Sequence, residues 1–152
     1  MSKLINEHLI KLDVSESSKR KVIIELAELI NVQNRLYNLD GYLSEVFRRE
    51  RLSTTGIGYG IAIPHGKCKD VKKPTIAFGR LKKGVDWDSV DGKPVNLVFL
   101  LAVPQETDSK QHLETISALS RKLVNEEFRH ALLSIDSKDK FISLFNSIFK
   151  DR

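Results

Sequence analysis

Nine residues in the second half of the chain, Val95 to Val103 (VNLVFLLAV), carry one polar side chain, Asn96, and run into Pro104. The run is far short of the roughly 20 residues needed to cross a bilayer. It reads as a strand covered on both faces, not as a half-wet one. Such a strand needs neighbours on its edges and helices above and below, and the rest of the chain supplies them. Val22, Ile23, Leu26, Ala27, Leu29 and Ile30 recur at helical spacing after a start near Ser15 or Ser17. Tyr42, Leu43, Val46 and Phe47 do the same between about Leu39 and Arg51. Beyond the run, cap candidates Asp108 or Ser109 open a helix with His112, Ile116, Leu119 and Leu123 in one register. A short helix is expected near 125–133. A last one follows Asp136 and Ser137, with Phe141, Ile142, Leu144, Phe145, Ile148 and Phe149 on its apolar side.

Two more strands complete the pattern. TIAFGRL, within Pro74 to Leu81, alternates and predicts one wet face. Ile61 to Ile63 predicts a short strand that Pro64 stops, leaving His65 on an exposed turn. Helices at both ends and strands between them predict an α/β fold, a small mixed sheet flanked by helices on both faces. A length of 152 residues matches one domain, 1–152.

Composition narrows the function classes. At 41% hydrophobic and 30% charged the chain is globular and not disordered. Its single cysteine, Cys68, can form no internal disulfide and no thiolate zinc site, which suits a reducing compartment, the cytoplasm by default. The opening MSKLINEHLI is broken by Asn6, Glu7 and His8, so neither a signal peptide nor membrane insertion is expected. The net charge of +5 is uneven, with ten Lys/Arg against two Asp/Glu between Arg48 and Lys83. A cationic middle suits a phosphate, an acidic partner or nucleic acid, and equally a merely solvated face. Only Tyr59 and Phe78 of that stretch are aromatic apart from histidine, and no helix-turn-helix or RNA-binding signature accompanies them, so no nucleic-acid partner is expected.

The glycines of GIGYG, at 56, 58 and 60, have the spacing G-x-G-x-G and feed a strand, and no Lys-Ser/Thr pair follows. That excludes both a dinucleotide fingerprint and a P-loop. Glycines so placed still let backbone N–H groups approach an anion, with the hydroxyls of Thr54 and Thr55 alongside. Of four histidines, His8 and His130 stand in polar helical surroundings and read as surface residues. His65, between Pro64 and Gly66, has its imidazole on a rigid stem. His112, in the first turn of a helix, is kept neutral by the positive end of the helix dipole. Each also has a plain structural reading. No third metal ligand stands at a familiar spacing, and a Cys68–His65 nucleophilic pair lacks an orienting carboxylate. No metal and no other cofactor is expected.

The run RERLSTTGIGYGIAIPHG, Arg49 to Gly66, resembles the signature of the enzyme IIA domains of the bacterial phosphoenolpyruvate-dependent sugar phosphotransferase system, fructose/mannitol class. The block from Gly84 to Leu123 is similar to the rest of that pattern, and SSKRKVIIELAELI resembles its first helix. The resemblance implies that His65 is phosphorylated by the phosphocarrier protein HPr and passes the group to a sugar-specific enzyme IIB. It implies His112 as the second histidine of the site, Arg49 as its arginine and Thr55 as a hydroxyl donor to the phosphoryl group. GVDWDS, DGKPVNLVFLLA and NEEFRHALL look closest to the fructose-type branch; the alternative is the nitrogen-related regulatory branch, whose phosphohistidine controls partner proteins. The chemistry suits these residues, since phosphoryl transfer needs positioning and charge stabilisation and neither metal nor nucleotide on this carrier. An accessible acceptor is expected to have an apolar rim, with Ile57 and Tyr59 as candidates.

Overall fold

The computed structural model describes residues 4–148, so Phe149 of the expected last helix lies outside the described residues. The elements in chain order are β1 (Ile10–Val14), α1 (Lys19–Val32), α2 (Leu39–Leu52), β2 (Gly56–Gly58), β3 (Ile61–Ala62), β4 (His65–Cys68), β5 (Thr75–Val85), β6 (Val95–Pro104), α3 (Ser109–Leu123), α4 (Glu126–Ser134) and α5 (Lys138–Asn146). All five described helices start on side-chain caps: Ser18, Asn38, Asp108, Asn125 and Ser137 each accept a backbone N–H from the first turn, so that α1 begins slightly later than the expected Ser15 or Ser17. No described helix is long and apolar enough to cross a membrane.

The mixed sheet runs β1-β5-β6-β3-β2, and β4 also pairs with β6. The apolar run is therefore the central strand. It is antiparallel to β5 on one edge and parallel on the other to β3 and β4, which share that edge in tandem. Helices cover both faces. Gly79 of β5 faces α1, where a Cβ would stand 3.1 Å from Leu26 Cδ2. Its neighbour Phe78 points the other way, its ring 4.3 Å from that of Phe141 on α5 and 4.9 Å from that of Phe99 on β6. Aromatic contacts of this kind add about 0.5 to 1.5 kcal/mol each to the burial itself.

Three expectations change. β5 is longer than the alternating pattern implied, and Thr75 to Gly79 are buried without interruption, because both faces and both edges are covered there; exposure is confined to Lys82–Gly84. β1 and β2 appear where no strand was expected. His65 lies on no exposed turn: it is half-buried and opens β4, opposite Leu101.

Candidate functional site

The tandem strands on the edge of β6 set the position of His65. Pro64 interrupts them, and its carbonyl accepts the Leu101 N–H at 3.0 Å, so the ladder with β6 carries on through the break. Immediately after it the backbone passes under α2. A Cβ at Gly66 would stand 2.9 Å from Val46 Cγ2 and 3.1 Å from Tyr42 Cε1, so only glycine allows this approach. The buried Tyr42 hydroxyl donates to the Leu101 carbonyl at 2.7 Å, tying α2 to β6 at the same level. The imidazole of His65 thus rises from a backbone held on two sides.

His65 Nδ1 lies 3.0 Å from the Ile63 carbonyl oxygen. A carbonyl only accepts, so Nδ1 carries the proton, and in the neutral ring Nε2 presents a bare lone pair. The ring is held neutral. Burial lowers its pKa below the usual histidine value, with the Arg49 charge pushing the same way, while the bond to Ile63 and the carboxylates of Glu50 and Glu45 oppose the shift.

His112 enters from the first turn of α3, its ring centroid 5.4 Å from that of His65 and its plane inclined by 66°. Burial first, then the positive charges of a protonated His65 and of Lys67, push its pKa down to about 4. Its Nδ1 is buried and accepts or donates no hydrogen bond. A buried N–H without a partner is rarer than a bare acceptor, so we assign the proton of the neutral ring to Nε2. Apart from His65 Nδ1–H, bonded to Ile63, and the buried Nδ1 of His112, the pair then offers one lone pair, on His65 Nε2, and one N–H donor, on His112 Nε2. Among the described residues no group of three His, Cys, Asp or Glu side chains is placed to hold a metal ion.

Arg49 stands in the last turn of α2, its Nη1 donating to the Ser53 carbonyl at 2.7 Å. This contact caps a helix end and leaves the guanidinium close enough to act on His65. The neighbouring Glu50, whose side chain is 6% exposed, turns inward instead. It accepts the Thr55 N–H at 2.9 Å, the Thr55 hydroxyl at 2.7 Å and the Lys19 ammonium at 3.2 Å. The indole N–H of the fully buried Trp87 completes the set by donating to Thr55 Oγ1 at 3.1 Å.

His65 and His112 are therefore brought together as expected, with Arg49 near them. Thr55 is not. Its one hydroxyl proton goes to Glu50 and its oxygen takes the Trp87 N–H, so it offers no donor to an outside anion and acts as a buried strut between α2 and the segment after β5. Tyr59 departs as well. It sits at positive φ between Gly58 and Gly60 in the β2–β3 turn, with Arg129 of α4 4.7 Å over its ring. It shares a recess with Asn96 and Leu97, four residues along β6 from the partner of His65, and rims no part of the imidazole pair. Glu50 went unnoticed in the sequence, although a signal was there: an acidic side chain in the last turn opposes the helix dipole and needs a reason to be present.

Comparison with known proteins follows the same outline. Residues 3–148 match the family model described as phosphoenolpyruvate-dependent sugar phosphotransferase system, EIIA 2. The chain is 41% identical over 146 residues to the PTS system fructose-specific EIIABC component of Bacillus subtilis, covering 96% of this chain and 23% of that protein. It thus spans about a quarter of that relative's length. It is 41% identical over 130 residues to the PTS system fructose-specific EIIA component of Haloferax volcanii, covering 86% of this chain and 84% of that one. The fold superposes on the nitrogen regulatory protein IIA-Ntr of Neisseria meningitidis with a TM-score of 0.88 at 34% identity, over 94% of this chain and 97% of the other.

Proposed function

Since the chain belongs to the EIIA 2 family of the phosphoenolpyruvate-dependent sugar phosphotransferase system, we propose that it is a cytoplasmic phosphocarrier acting as one enzyme IIA unit. On this reading His65 Nε2 takes a phosphoryl group from phosphorylated HPr and hands it to a fructose-type enzyme IIB. The observation that carries the reading is the bond from His65 Nδ1–H to the Ile63 carbonyl, which leaves Nε2 as the free nucleophile of a neutral ring. In the first half-reaction the Nε2 lone pair bonds to phosphorus as the P–N bond of the donor histidine breaks, its electron pair returning to the donor nitrogen. The ring gains positive character, which the bond to Ile63 stabilises. In the second, the enzyme IIB nucleophile bonds to phosphorus and the pair of the breaking bond returns to His65 Nε2. His112 Nε2–H donates to a phosphoryl oxygen, and the Arg49 guanidinium supports the charge that spreads over the equatorial oxygens.

The experiment is labelling with phosphoenolpyruvate, enzyme I and HPr. Phosphorus NMR is expected to show an acid-labile phosphoimidazole bonded through Nε2, absent from His65→Ala; labelling of that variant at the wild-type level, or attachment at Nδ1, overturns the assignment. A second reading, that this chain is a regulatory carrier that moves no sugar, is favoured by the likeness to the nitrogen regulatory protein. A phosphorylated chain that passes its group to no fructose-type enzyme IIB would select it.

A further inference from the structure

Gly66 faces Val46 and Tyr42 of α2, so strand alternation sends the side chains of His65 and Lys67 out of β4 on the other side. Strand geometry sets their α-carbons about 6.5 Å apart. Both side chains meet α3. The His65 ring lies against that of His112, and the Lys67 ammonium stands 3.4 Å from Ser109 Oγ. Ser109 and His112, three residues apart in the first turn, are neighbours on the helix surface. Lys67 is thus placed beside the imidazole pair, with its root held by the same ladder, opposite Val103 where His65 is opposite Leu101. The transfer steps given above leave this cation unused.

The ammonium rests in a poor place. Its 3.4 Å separation from Ser109 exceeds the usual N–H···O range of about 2.7 to 3.2 Å, and the hydroxyl is neutral. It also stands at the N-terminal end of α3, whose dipole disfavours a cation. Among the described residues no carboxylate is within ion-pair distance of Lys67, whereas Arg48 and Lys19 are paired with Glu45 and Glu50. Asp108, the acidic cap of α3, uses its Oδ1 to accept the Lys110 N–H. A cation so weakly held gains contacts once an anion comes within reach of its flexible stem. A phosphoryl group on His65 Nε2 is such an anion.

We propose that Lys67 is a further catalytic residue, whose ammonium leaves Ser109 Oγ and donates to a phosphoryl oxygen while the group passes to and from His65 Nε2. The inference rests on the phosphocarrier reading above. The bonds made and broken at phosphorus stay as given there, and the ammonium keeps its protons throughout. Lys67 from β4, His112 from α3 and Arg49 from α2 then approach the equatorial oxygens from three elements.

The test compares Lys67→Gln, Lys67→Arg and Ser109→Ala with the wild type in single-turnover transfer from phosphorylated HPr, together with melting temperatures. At saturating donor Lys67→Gln is expected to be about tenfold slower at an unchanged melting temperature, with Lys67→Arg recovering most of the loss. Ser109→Ala, which removes only the resting contact, is expected to be at least as fast as the wild type. Phosphorus NMR supplies a readout that a strut would not move. A nearby cation favours the more highly charged phosphoryl group, so its protonation is expected at higher pH in phosphorylated Lys67→Gln than in the phosphorylated wild type. A wild-type rate and an unshifted phosphorus titration in Lys67→Gln overturn the proposal. Equal slowing and equal loss of melting temperature in Lys67→Gln and Ser109→Ala would make the lysine a tie between β4 and α3, and a loss confined to KM would make it a contact of the donor protein; either overturns it too. A wild type that takes up no phosphoryl group overturns the functional reading, and this inference with it.

Discussion

The Glu50–Thr55–Trp87 network and the His65–His112 pair each join the stretch from Glu50 to His65 to one residue beyond it, Trp87 or His112, yet they differ in how fully their polar groups are satisfied. In the network each buried donor has an acceptor, and Glu50 alone takes three. In the pair, one ring has a lone pair bonded to nothing and the other a buried nitrogen with no partner. Satisfied groups define geometry; unsatisfied ones keep the capacity to react. The difference teaches which residues to expect in which role. Disturbing the network should lower stability first and rate second, and disturbing the pair and its arginine should do the reverse.

The largest effect expected, short of removing His65 itself, is on rate. Arg49→Lys keeps the charge but loses the planar fork, and single-turnover transfer from HPr should slow by about ten- to a hundredfold with the melting temperature nearly unchanged. Equal rates would reduce Arg49 to a helix cap. Glu50→Ala should show the opposite profile, losing about 2 to 4 kcal/mol in urea denaturation because the Thr55 N–H and hydroxyl are left buried without an acceptor. Transfer should also slow, since Thr55 steadies the segment whose Ser53 carbonyl holds Arg49. Loss of activity at unchanged stability would place Glu50 in the pair's class and break the contrast. Thr55→Val, which leaves the Trp87 indole N–H unpaired, should lose about 1 to 3 kcal/mol with transfer near normal at saturating donor; a rate loss without a stability loss would restore the hydroxyl to the phosphoryl group.

The smallest effect is on pH dependence. His112 has its pKa lowered from 6.5 to about 4 on folding, so between those values the unfolded chain binds more protons. Stability is then fully present above about 6.5 and is lost as pH falls toward 4. His112→Asn should flatten that part of the stability curve, measured as melting temperature against pH, and an unchanged slope would show that the ring is not held neutral by the fold.

Much of this arrangement is legible in the sequence. The apolar run announces the central strand because a buried strand leaves no room for polar alternation, and the caps Asp108 and Ser137 together with apolar stripes at helical spacing announce the helices. The site's two histidines are legible through their surroundings, a proline stem and a helix start. β4 is not, since His-Gly-Lys-Cys has no strand propensity and is held extended by its ladder with β6 and by the glycine under α2. Nor is the fate of Thr55. A sequence shows that a hydroxyl is present near a glycine loop, but not that a carboxylate five residues earlier folds back to claim it.

The interrupted edge of the sheet has one more consequence. β2 and β4, which bound the sheet on this side, have three and four residues, and β4 carries Lys67. Stretches this short, broken by a proline and marked by a lysine, give a second copy too little ladder to extend. Copies of the chain thereby find little to pair along on this side of the sheet.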